Sequence, residues 1–233
     1  MFNGGPGCDD YLGPVAAMIE DLCRVVRFEP RGCGRSDWDG NYDLDTLLAD
    51  AEAVRAAHSM ERCIVAGHSF GPDAALAYAL RCPDRVIGLI GVAGGNLLND
   101  RSWSEAYRRG LKETGEDLGG LEFSADPAVN RDGNLSWREY IKRPTLFREI
   151  ADLTIPGVFI NGGRDIRPNW PTQQLAALMP NGAYVEIPGA AHSVWLTHAA
   201  ELRAELRAAV RRIEGADGRS RASGTRDRSG RSR

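Results

Sequence analysis

The chain has 233 residues, of which 42% are apolar and 26% are charged. This is the composition of an ordinary globular protein, and the length suits one large domain or one domain with an insertion. The longest apolar stretch, Val86 to Gly95, is about half as long as a bilayer-spanning helix. The first residues lack the basic start and apolar middle of a signal peptide. Composition therefore argues against a membrane protein or a secreted one.

Charge is nearly balanced along the chain, with 29 basic against 32 acidic side chains and a net charge of −3. The core therefore has no electrostatic footprint for nucleic acid. Residues 215–233 differ, because six Arg against two Asp give this tail a net charge of +4. The tail has no large apolar side chain, so we expect a disordered, solvated basic tail.

The five cysteines are scattered, and none lies in a Cys-x-x-Cys pair. This spacing indicates neither a zinc site nor a disulfide framework, and no metal or cofactor is implied. A reduced, cytoplasmic protein is the default expectation. The oligomeric state is left open by the sequence.

Short apolar runs alternate with amphipathic helical patterns, as in a parallel sheet flanked by helices. Five runs are predicted to be strands: Arg24–Phe28, Cys63–Ala66, Val86–Val92, Gly157–Ile160 and Tyr184–Ile187. Helical spacing of apolar residues recurs between these runs and near the end of the chain. The predicted fold class is α/β, with a core formed by residues 1–96 and 154–214.

Residues 97–153 interrupt the alternation, because they contain several aromatic and charged side chains and no strand pattern. We expect two or three helices there, around Ser104–Glu113 and Trp137–Ile150, separated by a loop over residues 124–134. Loops of this length are usually functional. We interpret the segment as a helical lid over the carboxyl edge of the sheet, where α/β proteins build their sites.

The sharpest motif is Gly67–Gly71 (G-H-S-F-G), between the apolar run Cys63–Ala66 and an alanine-rich helix. In a strand–turn–helix context, G-x-S-x-G marks a nucleophile elbow, whose glycines allow the tight backbone that exposes a serine hydroxyl. Pro72 and Asp73 suit the first turn of the helix that follows. Ser69 is therefore the predicted nucleophile.

A serine nucleophile needs a base, and the chain contains four histidines. His58 lies at the polar end of a helix, His68 lies beside the nucleophile, and His198 falls in or at the start of the last helix. His192 instead lies in a loop after the final predicted strand, at the edge of the sheet where the elbow is. His192 is therefore the predicted base.

The base needs an acid that orients it. Asp165 follows an apolar run and a glycine turn, in the loop after the predicted strand Gly157–Ile160. Asp100, in the loop after the preceding strand, is the alternative. Asp152 precedes its own strand and so lies at the opposite edge of the sheet. We predict Asp165, which gives the chain order serine, acid, histidine.

Acyl transfer also needs two fixed N–H groups that stabilise the negative carbonyl oxygen. Phe70, the residue after the nucleophile, is expected to supply one of them. The glycine-rich segment Asn3–Gly7 (N-G-G-P-G) is the candidate for the second. Gly5 is the predicted donor there, because Pro6 has no N–H.

Together these motifs resemble the prolyl aminopeptidase (proline iminopeptidase) branch of the α/β-hydrolases. That branch carries H-G-G-P-G, then D-x-R-G-x-G-x-S, then G-x-S-x-G. Asn3–Gly7 matches the first motif except at Asn3, and Glu29–Ser36 matches the second except at Glu29. The resemblance runs from residue 1 to about 213, and the order of the three catalytic residues also fits. It implies an α/β-hydrolase fold and cleavage of an amide or ester in a small-molecule or short-peptide substrate, through an acyl-enzyme.

Two features separate the chain from true prolyl aminopeptidases. Its elbow has His68 and Phe70 where those enzymes usually have Gly and Trp, and its lid is shorter. The lid of that branch holds the free amine of the substrate, which needs carboxylate partners once it is desolvated. The lid carboxylates that could serve are Glu105, Glu113, Glu116, Glu139 and Glu149.

The finer expectation is an aminopeptidase that releases N-terminal proline. A small-molecule esterase or a C–C bond hydrolase is the alternative within the family. Epoxide or haloalkane hydrolysis through an aspartyl nucleophile is disfavoured, because the elbow carries Ser69.

In the resembling family the glycine-rich loop follows a central strand, of which Met1 and Phe2 would be all that remains here. That strand lies between the ones that Arg24–Phe28 and Cys63–Ala66 represent. Each unpaired backbone group in a buried sheet costs about 1–3 kcal/mol. We therefore expect the reading frame to continue upstream of Met1 by roughly 20–45 residues. The alternative of another class is a truncated, non-catalytic ligand-binding remnant.

Overall fold

The computed structural model describes residues 1–97, 101–116, 118 and 120–228, with side chains as far as residue 219. Its sheet is parallel, and the strands lie in chain order across it. They are β1 (Cys63–His68), β2 (Val86–Val92), β3 (Gly157–Gly162) and β4 (Gly182–Ile187). Because all four run in one direction, their carboxyl ends form a single edge of the sheet. The predicted α/β class is confirmed.

Helices cover both faces of the sheet. They are α1 (Gly13–Ala16), α2 (Leu44–Ala57), α3 (Gly71–Arg81), α4 (Arg101–Thr114), α5 (Pro127–Tyr140), α6 (Leu146–Ala151), α7 (Trp170–Leu178), α8 (Val194–Thr197) and α9 (Ala199–Arg228). Side chains alternate along a strand, so neighbouring residues of β2 pack into two different hydrophobic clusters, one on each face of the sheet. Leu89 packs with α2, α3 and α7, whereas Ile90 packs with α1, α8 and α9.

Small residues bring α3 close to the sheet. Its alanines Ala74, Ala75, Ala77 and Ala79 are fully buried. On the strand side, a Cβ at Gly91 would lie 3.1 Å from the Pro72 ring, so the two backbones approach with little between them. Close packing of this kind fixes the start of α3 against the carboxyl ends of β1 and β2.

The prediction of a strand over Arg24–Phe28 is wrong, because most of this segment has no neighbour to pair with. An apolar cavity of about 350 Å³ is lined both by this segment and by β1. Only the first residues of the chain lie between the two. The Phe2 N–H donates to the Ala66 carbonyl at 2.8 Å, and the Met1 amino group donates to the Val26 carbonyl at 2.7 Å.

The lid segment is helical, and α4 confirms the helix predicted around Ser104–Glu113, but the rest of the segment differs from the prediction. The expected loop over residues 124–134 belongs mostly to α5. The Asp126 carboxylate caps this helix, accepting from the N–H groups of Ala128 and Val129 at 2.8 and 2.9 Å, and Pro127 takes the first helical position. The expected helix Trp137–Ile150 is in fact two, since α5 ends at Tyr140 and α6 begins at Leu146.

The tail also differs from the expectation of disorder, because α9 continues to Arg228. Ile213 packs in the core, and Arg62 forms an ion pair with Asp217 one turn later, so this part of the helix is held against the body. Residues 229–233 lie outside the described residues. Within the part of the chain that the structure describes, no helix is both long and apolar enough to cross a membrane.

Candidate active site

Ser69 lies in the tight turn between β1 and α3. Its φ of 61° is in the left-handed region, which non-glycine residues rarely adopt. A Cβ on Gly67 would overlap the backbone of Gly71, and a Cβ on Gly71 would overlap the Phe2 carbonyl. Both positions of the motif therefore require glycine, because backbone atoms of neighbouring segments occupy the space that a side chain would need. The turn has the strained form that the sequence predicts for a nucleophile elbow.

Asp165 and His192 come together at the same edge, from the loops that follow β3 and β4. The His192 Nδ1 lies 2.5 Å from the Asp165 Oδ2, and both side chains are buried. The Arg167 N–H also donates to the Asp165 Oδ1 at 2.9 Å. Burial alone would raise the pKa of Asp165, but the hydrogen bond and charge of His192, together with Arg167, hold it below its usual value. The carboxylate is thus ionised and able to orient the imidazole.

No hydrogen bond between the Ser69 Oγ and His192 is found among the described residues. The ring of His68, the residue before Ser69, lies 4.7 Å from the ring of His192. Catalytic hydrogen bonds are often long before substrate binds. The structure therefore brings the predicted acid and base into contact, and Ser69 follows a side chain that packs against the predicted base. Asp100, the alternative acid, lies outside the described residues.

The glycine-rich loop lies against the nucleophile. A Cβ on Gly4 would be 3.0 Å from the Ser69 Cβ and 3.4 Å from its Oγ. Gly5 and Phe70 line the same cavity as Ser69. Within the described part of the chain, the N–H groups of Gly5 and Phe70 donate to no other group. Both remain available to a ligand oxygen.

A cavity of about 260 Å³ opens beside Ser69. Two lid tryptophans, Trp103 and Trp137, form part of its wall, so the lid segment does cover this edge of the sheet. The volume lies near the lower end of small-molecule sites. It suits a substrate with a small acyl group. Among the described residues, no three or more His, Cys, Asp or Glu side chains are grouped as a metal site would require.

Asp73 is a site residue that sequence analysis assigned only to the first turn of α3. It lines the cavity and is 5% exposed. Its Oδ1 accepts the Asn96 N–H at 2.7 Å, and no cation pairs with it among the described residues. Burial raises the pKa of Asp73 well above the ordinary value, which that hydrogen bond only partly offsets. The signal in the sequence was its position four residues after the nucleophile, at the same end of α3.

Asn161 is a second residue of the cavity that sequence analysis missed. It is the next-to-last residue of an apolar strand, β3, and is 4% exposed. Its Nδ2 donates to the Asn169 Oδ1 at 2.9 Å, which fixes the orientation of the amide. Its Oδ1 has no hydrogen-bond partner within the described residues. A buried acceptor of this kind is costly unless a ligand or water satisfies it.

The five lid glutamates are all described, and none lines the cavity. Glu116 pairs with Arg167, Glu139 with Lys142 and Glu149 with Arg143. Glu105 and Glu113 are exposed on α4. The carboxylates expected to hold a substrate amine therefore point elsewhere, and Asp73 is the cavity carboxyl that remains besides Asp165.

Residues 3–205 match the model of the Alpha/beta hydrolase family, Abhydrolase_6. The chain belongs to this family. Among curated proteins, it is 35% identical to a proline iminopeptidase of Saccharolobus solfataricus over 97 residues, or 40% of this chain and 31% of that protein. It is 32% identical to a proline iminopeptidase of Xylella fastidiosa over 141 residues, or 58% of this chain and 44% of that protein. The chain thus spans less than half the length of these relatives.

Solved structures resemble the chain over most of its length. A thermophilic esterase from Thermogutta terrifontis has a TM-score of 0.68 at 20% identity, covering 91% of this chain and 88% of that one. The proline iminopeptidase of Mycobacterium smegmatis has a TM-score of 0.67 at 18% identity, covering 92% and 89%. The enol-lactonase of Burkholderia xenovorans LB400 has a TM-score of 0.68 at 18% identity, covering 89% and 88%. At these identities the likeness establishes the α/β-hydrolase fold.

The pKa of Asp73 predicts how stability depends on pH. A carboxyl whose pKa is raised in the folded state stabilises the fold below its unfolded pKa, and this contribution is lost as pH rises through the folded pKa. Relative to Asp73→Asn, which keeps the Asn96 hydrogen bond, the wild-type free energy of unfolding should therefore fall as pH rises above about 4. Urea unfolding at a series of pH values measures it.

The matched control is Asp37→Asn, at an exposed carboxylate. It should leave the pH dependence of the wild type unchanged. If the curves of Asp73→Asn and wild type run parallel across this range, the pKa of Asp73 is not raised in the folded protein.

Proposed function

We propose that this protein is a serine hydrolase that cleaves an amide or ester bond of a small substrate. Ser69 is the nucleophile, His192 the base and Asp165 the acid that orients it. The observation that carries the proposal is the buried 2.5 Å hydrogen bond between His192 and Asp165, next to a serine in a strained elbow.

The first half of the reaction follows from these positions. Ionised Asp165 keeps the proton of His192 on Nδ1, so the Nε2 lone pair is free to accept the proton of Ser69. The Ser69 Oγ then attacks the substrate carbonyl, and the N–H groups of Gly5 and Phe70 stabilise the negative oxygen of the tetrahedral intermediate. His192 returns the proton to the leaving amine or alcohol, which departs and leaves an acyl-enzyme.

Water completes the cycle. His192 takes a proton from the water as the water attacks the acyl carbonyl. A second tetrahedral intermediate forms, and the same two N–H groups stabilise its negative oxygen. Collapse of this intermediate returns the proton to the Ser69 Oγ and releases the acid product. No group outside the chain is needed for either half.

The finer proposal is an aminopeptidase that acts on a substrate with a free amine, of which N-terminal proline is the favoured case. The proline iminopeptidase relatives support it over the part of the chain they match. The cavity supports it independently, because the Asn161 Oδ1 has no donor and Asp73 pairs with no cation among the described residues. A substrate ammonium would supply both the donors and the positive charge that buried Asp73 lacks.

The alternative within the family is an esterase acting on small neutral substrates. The observation that favours it is the burial of Asp73 without a cation partner among the described residues, which raises its pKa well above the ordinary value and so favours the neutral carboxyl. Such a carboxyl can donate a hydrogen bond to a neutral substrate instead of pairing with a cation. A cytoplasmic location, suggested by cysteine usage, stays a prediction.

Removing the nucleophile or the base tests the first proposal. Ser69→Ala and His192→Ala should each lower turnover of a p-nitrophenyl ester by about 10⁴-fold or more while the protein stays folded. Asp165→Asn should also be severe, because the wrong imidazole tautomer is then favoured. His58→Ala, at an exposed histidine, is the matched control.

A fluorophosphonate probe gives the same test without a substrate, since it attaches to Ser69 only if His192 activates that serine. If His192→Ala keeps more than about a tenth of the wild-type turnover, against the losses known for such triads, the base is wrongly assigned. A wild-type protein that the probe fails to label would instead favour the non-catalytic remnant.

Two substrates that differ only at the amine test the finer proposal. Proline p-nitroanilide should be cleaved faster than its N-acetylated form, and Asp73→Asn should lower kcat/KM for the free amine by about 100-fold, because a charged hydrogen bond is lost. The N-acetylated substrate should be unaffected by the same change. Asp37→Asn is again the control.

Two outcomes would contradict it. Equal losses on both substrates would make Asp73 a structural residue. A clear wild-type preference for neutral esters over both anilides would assign the protein to the esterases.

A further inference from the structure

A chain of hydrogen bonds runs behind the nucleophile and is not used by the mechanism above. The Gly4 N–H donates to the Tyr11 hydroxyl at 2.8 Å. That hydroxyl lies 2.7 Å from the Nδ1 of His68. The Nε2 of His68 lies 3.2 Å from the carbonyl oxygen of His192. The chain thus connects the glycine-rich loop, the elbow and the loop of the base.

The direction of each bond follows from counting protons. The His192 carbonyl can only accept, so the His68 Nε2 carries a proton and donates to it. In the neutral ring Nδ1 is then unprotonated, and it accepts the proton of the Tyr11 hydroxyl, whose oxygen accepts from Gly4. Burial, with the charge of His192, lowers the pKa of His68 well below its ordinary value, and burial raises that of Tyr11. Both side chains keep the protonation states that this pattern needs.

Aromatic packing holds the two side chains in place. The ring of Trp195 stacks on Tyr11 at 6.1 Å and meets His68 edge-on at 4.7 Å. His68 is 2% exposed. Neither side chain can leave its position without breaking hydrogen bonds inside a packed cluster, so this chain of hydrogen bonds is rigid.

We propose that Tyr11 and His68 are positioning residues of this site, a role that rests on the proposed hydrolase function. His68 is bonded covalently to Ser69 and by a hydrogen bond to the backbone of His192, so it fixes the nucleophile relative to the base. Tyr11 takes up the Gly4 N–H, which fixes the next residue, Gly5, as the free donor of the loop. Together they set the distances among three groups that must act on one carbonyl carbon.

The first test removes the Tyr11 hydroxyl. Tyr11→Phe should lower kcat by about 10-fold with KM changed by less than about 2-fold, because the lost bonds act on the transition state rather than on substrate binding. The rate of fluorophosphonate labelling should fall by a similar factor. Tyr78→Phe is the matched control, since it removes a buried hydroxyl that bonds Glu52 and touches no catalytic loop.

The control separates positioning from stability. If Tyr78→Phe loses as much thermal stability as Tyr11→Phe but keeps its kcat, the loss in Tyr11→Phe is one of position. If Tyr11→Phe keeps the wild-type kcat and labelling rate, or changes only KM, the proposal is overturned.

The second test asks which bond of His68 matters. His68→Gln can still present an N–H to the His192 carbonyl, whereas His68→Leu cannot. We expect His68→Leu to lower kcat by about 100-fold, and His68→Gln to recover at least about 10-fold of this loss. The estimate assumes that each hydrogen bond changes kcat by about tenfold. In addition, Tyr11→Phe should cost less in the His68→Leu background than alone, because both changes break one chain. Equal losses in Gln and Leu variants, or fully additive effects, would contradict the chain.

Nitrogen-15 NMR of the histidine rings reads the tautomer without any substrate. His68 should show a protonated Nε2 and a bare Nδ1 in the wild type, and the Nδ1 signal should shift in Tyr11→Phe, which removes its hydrogen-bond donor. A protonated Nδ1 in the wild type would overturn the proposal. The outcomes stay separate from the proposed function: an unlabelled wild-type Ser69 overturns that function, whereas a labelled wild type matched in rate by Tyr11→Phe overturns the positioning role alone.

Discussion

The left-handed backbone of Ser69 is the constraint on which the site depends, because β1 must end and α3 must begin within three residues. Such a conformation costs about 1–3 kcal/mol and persists only where the surroundings enforce it. Here the surroundings are backbone on every side: a Cβ would overlap its neighbours at Gly67, at Gly71 and at Gly94, which abuts the carbonyl of Ser69. The alanines of α3 belong to the same constraint, because they let the helix approach closely enough to close the turn.

Charge within the site is arranged in two opposite ways. Asp165 is ionised because His192 and Arg167 both stabilise its negative charge. The positive charge of Arg167 is in turn offset by an ion pair with Glu116. Asp73 is buried and pairs with no cation among the described residues, and burial raises its pKa. The pKa values of two carboxyl groups on one cavity thus shift in opposite directions because their partners differ. The ionised form of Asp165 is stabilised by partners within the protein, whereas the ionised form of Asp73 would be stabilised by a bound cation.

Local order along the chain was enough to predict candidate residues that the structure places at one edge of the sheet. Ser69 could be predicted because its strand, its glycines and its helix are consecutive, and Asp165 and His192 because each follows a strand whose end meets the same edge. Arg24–Phe28 was misjudged because pairing depends on a neighbour far along the chain, and its apolar pattern is equally satisfied by lining a cavity. The start of α5 carried a local signal, Asp126 followed by Pro127, that the surrounding polar residues obscured. Asp73 gave only its position four residues after Ser69, and Asn161 gave no signal, since the importance of both lies in partners they lack.

His68 links these observations. Where the resembling aminopeptidases usually have glycine, this elbow has an imidazole, and a ring at that position must occupy space behind the nucleophile. The rings of Tyr11 and Trp195 line that space and pack against the imidazole, and the His192 carbonyl accepts its hydrogen bond. The departure from the family motif therefore has a physical consequence: one imidazole, next to Ser69 in the chain, connects the glycine-rich loop through Tyr11 to the backbone of His192.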